Sequence, residues 1–270
     1  MFKQSVFTFL IKYNFICIIA LLFILTGCQS AASGEPIDPE TASFFDRYFV
    51  LSFTTLIKGV ANFFGGNYGL SIVLVTLIIR LVLMPLMLKQ SKGSYQMREK
   101  MAIMKPDLDE LQSKYKSKKD SDSQKKKQQE MMQLYQKHNF NPISSMGCLP
   151  MIIQFPILIG FYYAIRTTPE IATHSFLWFN LGQADLVMPF VAAAIYFVQF
   201  KVTQLGMDEK QRKQMAFMGL ISPLMIGFVS FNAPAALPLY WTVGGVFLIF
   251  QQLLSKKLYQ PKSNMLVTNN

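Results

Sequence analysis

A single arginine, Arg80, interrupts the apolar run Leu74-Val75-Thr76-Leu77-Ile78-Ile79-Arg80-Leu81-Val82-Leu83. From there to Leu88, where the run ends, is a helical distance of about 12 Å. An arginine at that depth in a bilayer costs at least about 2.5 kcal/mol on insertion scales, so it is expected to face a bundle interior or a water-filled cavity. Snorkelling of its stem toward the headgroups is the alternative. Apart from Asp185, the first residue of one run, no Asp or Glu lies inside the other long apolar runs, which disfavours a permanent ion pair. The chemistry on offer is a hydrated positive charge that attracts anionic guests transiently. Thr76 sits one helical turn earlier on the same face. Gln154, Gln199, Tyr240 and Trp241 are further polar or amphipathic side chains within apolar runs. Each alone also fits helix packing or a headgroup position, whereas together with Thr76 and Arg80 they would line one polar cavity. Pro150, Pro156 and Pro223 release backbone hydrogen bonds and would help keep such a groove from closing.

Other chemistries lack their residues. There is no P-loop, no Ser-His-Asp arrangement and no metal-spaced cluster. The two histidines, His138 and His174, fall in segments assigned below to opposite sides of a membrane, and Cys148 reads as a small apolar packing residue. Three cysteines are too few for a disulfide framework. The chain is therefore read as a non-enzyme without metal or dissociable cofactor.

The elements that must position Arg80 follow from composition. Of 270 residues, 51% are apolar and 15% charged, with a mean hydropathy of +0.29, which is membrane-like. Against that background the net charge is +11, so the basic residues must be segregated. Lys3 and Lys12 precede an apolar run from Phe15 to Leu25 that ends in Leu25-Thr26-Gly27-Cys28, the order of a secretory signal. That ending resembles a bacterial lipobox, which implies loss of residues 1–27 and a covalent, palmitate-type lipid on Cys28. An uncleaved anchor ending in a free cysteine is the alternative. Residues 28–43 then read as an extracellular tether. From 44 to 64, Phe45, Phe49, Phe53, Ile57, Val60 and Phe64 recur at spacings of three and four, with Asp46, Arg47, Thr54, Lys58 and Asn62 between them. This predicts an amphipathic helix lying in the outer interface; a first transmembrane helix is the other reading.

Five later runs are long enough to cross about 30 Å of hydrocarbon: 68–88, 146–166, 185–204, 215–231 and 237–254. Between the first two, residues 89–145 carry 13 Lys and Arg against 7 Asp and Glu. Met97, Met101, Met104, Leu108, Leu111 and Tyr115 form one apolar stripe there, and a polar breaker at 116–123 separates it from Met131, Leu134 and Tyr135. A helical hairpin follows, with Pro106 expected to start or kink a turn. With five spans, the hairpin, the loop holding Lys201, Lys210, Arg212 and Lys213, and a basic tail at 255–270 all fall on one side. The positive-inside rule makes that side cytoplasmic and puts the lipidated N-terminus outside. The expected architecture is an all-α integral membrane protein of the bacterial plasma membrane. Its five-span core, 68–254, surrounds a hydrophilic groove and carries an interfacial helix and a cytoplasmic hairpin.

The segment from Tyr68 through Ile165 resembles the YidC/Oxa/Alb family of membrane protein insertases. The likeness is carried by Thr76 and Arg80 followed by Met84-Pro85-Leu86, then Lys105-Pro106, Glu130-Met131-Met132-Gln133-Leu134-Tyr135 and Asn141-Pro142. Gly147-Cys148-Leu149-Pro150 with Ile153-Gln154-Phe155-Pro156-Ile157 is especially characteristic, and the match continues through Gln199, Asp208-Glu209-Lys210-Gln211 and Leu239-Tyr240-Trp241. The lipobox resembles the five-span Gram-positive form. The resemblance implies a groove centred on Arg80 that draws short or single-span nascent membrane proteins from the cytoplasm into lipid without ATP hydrolysis. Thr76, Gln154, Gln199, Tyr240 and Trp241 are its other candidate lining residues. It also implies the Sec translocon, the ribosome or targeting machinery and membrane lipids as partners, with no DNA, and activity as a monomer. A small-solute transporter or anion channel using Arg80 for selectivity is the rival class.

Overall fold

The computed structural model describes residues 37–116, 120–138, 140, 149–205, 207 and 209–260. The signal segment, Cys28, Asn141-Pro142, Cys148 and the end of the basic tail lie outside them. The described chain is almost entirely helical and divides into two units, Met1–Leu81 with Ile152–Ile249, and Val82–Met151 with Phe250–Asn270.

The first unit begins with one π-helical turn, Asp46–Val50, leading into α1, Leu51–Phe63. Phe45, Val50, Ile57 and Ala61 are buried and Phe49, Phe53 and Val60 pack against the same core, so the aromatic stripe does face inward. Two details differ from the sequence expectation. Phe64 turns away and is 39% exposed, because the helix has already ended. Asp46 is not on the polar face but fully buried, where the Ser43 hydroxyl donates to its Oδ2 at 2.8 Å. Gly65 and Gly66 take φ of 63° and 87°, the left-handed region glycine tolerates, and reverse the chain. Asn67 then accepts from the Leu70 amide at 2.9 Å and starts α2, Tyr68–Tyr115.

Helix α2 does not stop at Leu88. Pro85 and Pro106 both lie within its bounds without ending it. The residues after Leu88, rich in Lys, Gln, Met, Glu and Arg, are strong helix formers, so polarity changes there while the backbone has no reason to. The next long helix, α4, is Leu149–Arg166, followed by the single turn α5, Pro169–Thr173, and a two-residue-per-strand antiparallel hairpin, β1 Ser175–Phe176 and β2 Phe179–Asn180. Asp185 Oδ1 accepts from the amides of Val187 and Met188 at 2.8 and 2.7 Å, so α6 is Met188–Thr203 rather than beginning at Asp185 itself. Helix α7 is Glu209–Ser230, extended backward from its apolar part by the Glu209–Lys213 i,i+4 pair at 2.7 Å. Helix α8, Ala236–Tyr259, ends with Lys256 and Lys257 in its last turn, where they complement the helix dipole. Helices α2 and α8 are long and apolar enough to cross a membrane; α6 and the Gly219–Ser230 part of α7 are apolar but shorter.

The core of this unit is aromatic. Phe161 on α4 is fully buried, stacks on Tyr240 of α8 at 4.7 Å between centroids and meets Phe53 of α1 edge-on at 5.7 Å. A Cβ on Gly160 would come within 3.0 Å of Phe49 and Phe53, so the small residue admits α1 against α4. Lys58 on α1 and Glu170 on α5 add an ion pair at 2.8 Å. Glycines also join α6 to α7, with Phe200 occupying the space over Gly219 and Ala193 facing Gly227.

In the second unit, α3, Ser121–Lys137, starts from Asp120, whose Oδ2 accepts from the Ser123 amide at 2.8 Å. It runs antiparallel to the end of α2: Glu130 meets Lys114 and the Tyr115 hydroxyl at 2.8 and 2.9 Å, and Asp107 meets His138 at 3.3 Å. Met104, Leu111 and Tyr115 are buried along the expected stripe.

Candidate functional site: an arginine-centred hydrogen-bond chain

Four helices of the first unit place side chains around Arg80. Arg80 projects from α2 and is partly buried. Its Nη1 donates to Gln154 Oε1 on α4 at 3.0 Å, and Gln154 Nε2 donates to the Tyr240 hydroxyl on α8 at 3.0 Å. Gln154 thus spends its carbonyl on a cation and its amide on a phenol, the arrangement in which both halves of a glutamine are satisfied. Tyr240 is 3% exposed and is held by its stack on Phe161, so the chain of bonds ends on a side chain that cannot swing away.

Gly244, one helical turn beyond Tyr240, closes the site from α8. A Cβ there would approach Arg80 Nη2 to 2.9 Å and Nε to 3.4 Å, so the guanidinium lies directly over the glycine. Its neighbour Gly245 admits Ile195 and the ring of Tyr196 from α6 in the same way, with the nearest tyrosine carbon at 3.2 Å. Among the described residues, no carboxylate pairs with Arg80, and Gln154 is the side-chain partner of one of its five N–H donors. The remaining donors can serve water or an anionic guest.

The other expected lining residues divide. Thr76 shares the helix face of Arg80 but is 1% exposed, and its hydroxyl donates to the Ile72 carbonyl at 2.6 Å, so it packs the bundle under the arginine instead of joining the chain. Gln199 is partly buried on α6 and takes no part in the Arg80–Gln154–Tyr240 bonds. Trp241 packs against the aromatic core beside Tyr240. Residue type alone does not mark Tyr196 and Gly244 as part of the site. Tyr196 stands three residues before Gln199 in the same apolar run, and Gly244 four after Tyr240, so helical spacing from known polar residues was the available signal. Among the described residues there is no group of three or more His, Cys, Asp or Glu side chains placed to hold a metal ion.

The family described as 60Kd inner membrane protein matches residues 59–263. Membrane protein insertase YidC 2 of Listeria monocytogenes serotype 4b (strain F2365) is 49% identical over 246 residues, covering 90% of this chain and 89% of that one. Membrane protein insertase MisCB of Bacillus subtilis (strain 168) is 46% identical over 245 residues, covering 86% and 89%. A solved structure titled "Active YidC insertase crystal structure with the first transmembrane domain resolved" superposes with a TM-score of 0.56 at 26% identity. That match covers 83% of this chain, which spans about half the length of that solved protein, at 48%. By these matches, which run through the Arg80, Gln154 and Tyr240 helices, the chain belongs to the YidC family of 60Kd inner membrane proteins.

Proposed function

We propose that this chain is a membrane protein insertase that moves short or single-span nascent proteins from the cytoplasm into the bilayer. The observation that carries the reading is the Arg80–Gln154–Tyr240 chain, a fixed cation at depth with no carboxylate partner among the described residues. A cation paired with a carboxylate would already be neutralised. One held by a neutral amide keeps its charge and stays oriented, and in surroundings of lower dielectric than water it attracts an acidic or polar N-terminal client segment more strongly than a surface arginine does. The client's apolar span then partitions into lipid, and burial of about 20 apolar residues supplies the driving force without ATP hydrolysis. Because a guest must leave, a single cation rather than a cluster suits the task. Gln199 and Trp241 would act as groove walls, with Trp241 on the apolar side, and Thr76 would support the wall from within the packed bundle.

The wider arrangement proposed with it has five crossings, from the first part of α2 and from α4, α6, α7 and α8. The signal is 1–27, the lipid is on Cys28, the tether outside is 28–43, the interfacial helix is 44–64, and the hairpin 89–145 and tail 255–270 are cytoplasmic. The uneven distribution of Lys and Arg supports this orientation. The hairpin would receive clients from the ribosome or targeting machinery, with the chain working as a monomer, alone or beside the Sec translocon.

The test is reconstitution of the purified chain alone in liposomes. Protease protection of a single-span client with an acidic N-terminal segment is followed, with anion and small-solute flux in parallel. Client insertion without flux is expected. Flux without insertion would favour a channel or transporter instead.

A further inference from the structure

The tip of the β-hairpin between α5 and α6 combines two features that are each unfavourable in water. Its two connecting residues are Leu177 and Trp178. Leu177 has φ 55°, in the left-handed region that hairpin turns usually fill with Gly, Asn or Asp. Its side chain is 73% exposed, and that of Trp178 is 58% exposed. The two phenylalanines of the strands face the other way: Phe179 is 4% exposed, and Phe176 fills the space over Gly69 that a Cβ would need. Trp178 meets Phe179 edge-on at 5.3 Å between centroids, yet most of Trp178 and of Leu177 stays uncovered; backbone strain in such a turn is a reason to look for what covers them.

The surrounding bonds fix where this tip lies. His174 rests edge-on against Tyr68 at the start of α2, and the Ala235 and Ala236 amides, at the start of α8, donate to the Gln183 and Leu181 carbonyls at 2.8 and 3.0 Å. In sequence the hairpin follows the end of α4 and precedes the start of α6. It therefore belongs to the end of the first unit where apolar helices begin and finish, which in the spanning arrangement proposed above is the level at which a bilayer passes from hydrocarbon to headgroups. Leu186 and Val187, just before α6, and Phe190 in its first turn are also exposed, at 78%, 50% and 66%. The apolar surface of α6 thus continues into the loop that carries the hairpin.

We propose that Leu177 and Trp178 form a lipid anchor, inserted at the boundary between headgroups and acyl chains of the leaflet on this side. Tryptophan is the residue suited to that depth, with its ring in the acyl boundary and its N–H toward water. Lipid covers the leucine that the turn forces outward, and this offsets the strained backbone. The anchor would fix the depth of the start of α8, and hence of Tyr240 and Gly244 one and two turns further on. It rests on the membrane-spanning character of the helices and not on the electrostatic capture of clients, so either can fail alone.

The two tryptophans of the chain are Trp178 and Trp241, so Trp241→Phe leaves Trp178 as a single reporter. The full-length variant is reconstituted in phosphatidylglycerol/phosphatidylcholine vesicles containing lipids brominated either near the headgroup end or near the tail end of the acyl chain. Expected are blue-shifted emission, weak quenching by aqueous acrylamide, and stronger quenching by the shallow bromines than by the deep ones. If Trp241→Phe does not accumulate, fluorotryptophan incorporated in the unmodified chain gives two fluorine resonances, and the one lost in Trp178→Phe reports the same contact. Water-like emission quenched by acrylamide and not by bromolipid would overturn the proposal. Shielding from both quenchers would overturn it too and indicate a protein contact at the tip.

Discussion

Arg80 and Gly244 are matched surfaces: the guanidinium occupies the place where a side chain at position 244 would begin, with Nη2 2.9 Å from a Cβ built there. The same guanidinium donates through Nη1 to Gln154 on α4 at 3.0 Å. Direction, and not only charge, is therefore specified at this site, which leads to expectations beyond simple removal of the arginine.

Gly244→Ala is expected to displace the guanidinium and to lower insertion of acidic-tailed clients by roughly threefold to tenfold, the worth of about one hydrogen bond of ordinary strength. In an Arg80→Lys background the same substitution should cost much less, because a lysine head has no Nη2 to displace. Insertion rates of the four proteins in one double-mutant cycle measure the coupling. Equal losses in both backgrounds would mean that Gly244 serves helix packing alone.

Gln154→Glu replaces the neutral acceptor by a carboxylate and should neutralise the site. The protein is expected to reach normal abundance, with a lower insertion rate and less discrimination between acidic and neutral client segments. Gln154→Leu instead leaves the Arg80 donor unsatisfied, and thermal stability should fall by about 1–3 kcal/mol. Melting curves and insertion assays on both variants separate charge from packing.

The ion pair between α1 and α5 gives a pH expectation. The hydrogen bond from Lys58 holds the Glu170 carboxyl below its ordinary value. A carboxyl depressed in the folded state stabilises it above the unfolded pKa, and that contribution disappears as the pH falls through the lower folded value. Both side chains are substantially exposed, so Glu170→Gln should cost only about 0.2–1 kcal/mol at neutral pH. Its melting temperature should converge with that of the parent below the usual carboxylate range.

Glu130 joins the two helices of the second unit through Lys114 and the Tyr115 hydroxyl. Its hydrogen bonds raise the pKa of both groups, so at neutral pH lysine and tyrosine stay protonated as donors. Glu130→Ala should accelerate amide exchange around residues 108–115 and 126–135 while leaving the amides near Gln154 unchanged. Hydrogen exchange with mass spectrometry checks this.

Much of this architecture was legible in the sequence because membrane helices advertise themselves by length and apolarity, and because Arg80 stands out in such a run. The stripe through Met104, Leu111 and Tyr115 likewise followed from spacing. The end of the first apolar run did not mark the end of α2, since hydropathy reports the solvent and not the backbone. Thr76 shares a helix face with Arg80, but spacing cannot tell a hydroxyl aimed at a neighbour from one bonded to its own turn at Ile72. Gly244 was invisible for a different reason: a glycine's role here is the space it leaves, and only the position of Arg80 reveals that space.

The most direct measurement of the central claim compares Arg80→Lys, Arg80→Ala and Arg80→Glu in liposomes, using one single-span client with an acidic N-terminal segment and the same client with those acids neutralised. Arg80→Lys should retain much of the insertion, while Arg80→Ala and Arg80→Glu should lose it for the acidic client, with a smaller loss for the neutralised one. Abundance, measured alongside, should stay near that of the parent, and the melting temperature should fall no further than in Gln154→Leu, which loses the same bond. A stable Arg80→Ala protein that inserts the acidic client at the parental rate would contradict electrostatic capture and leave hydrophobic partition past Trp241 and its neighbours as the driving step.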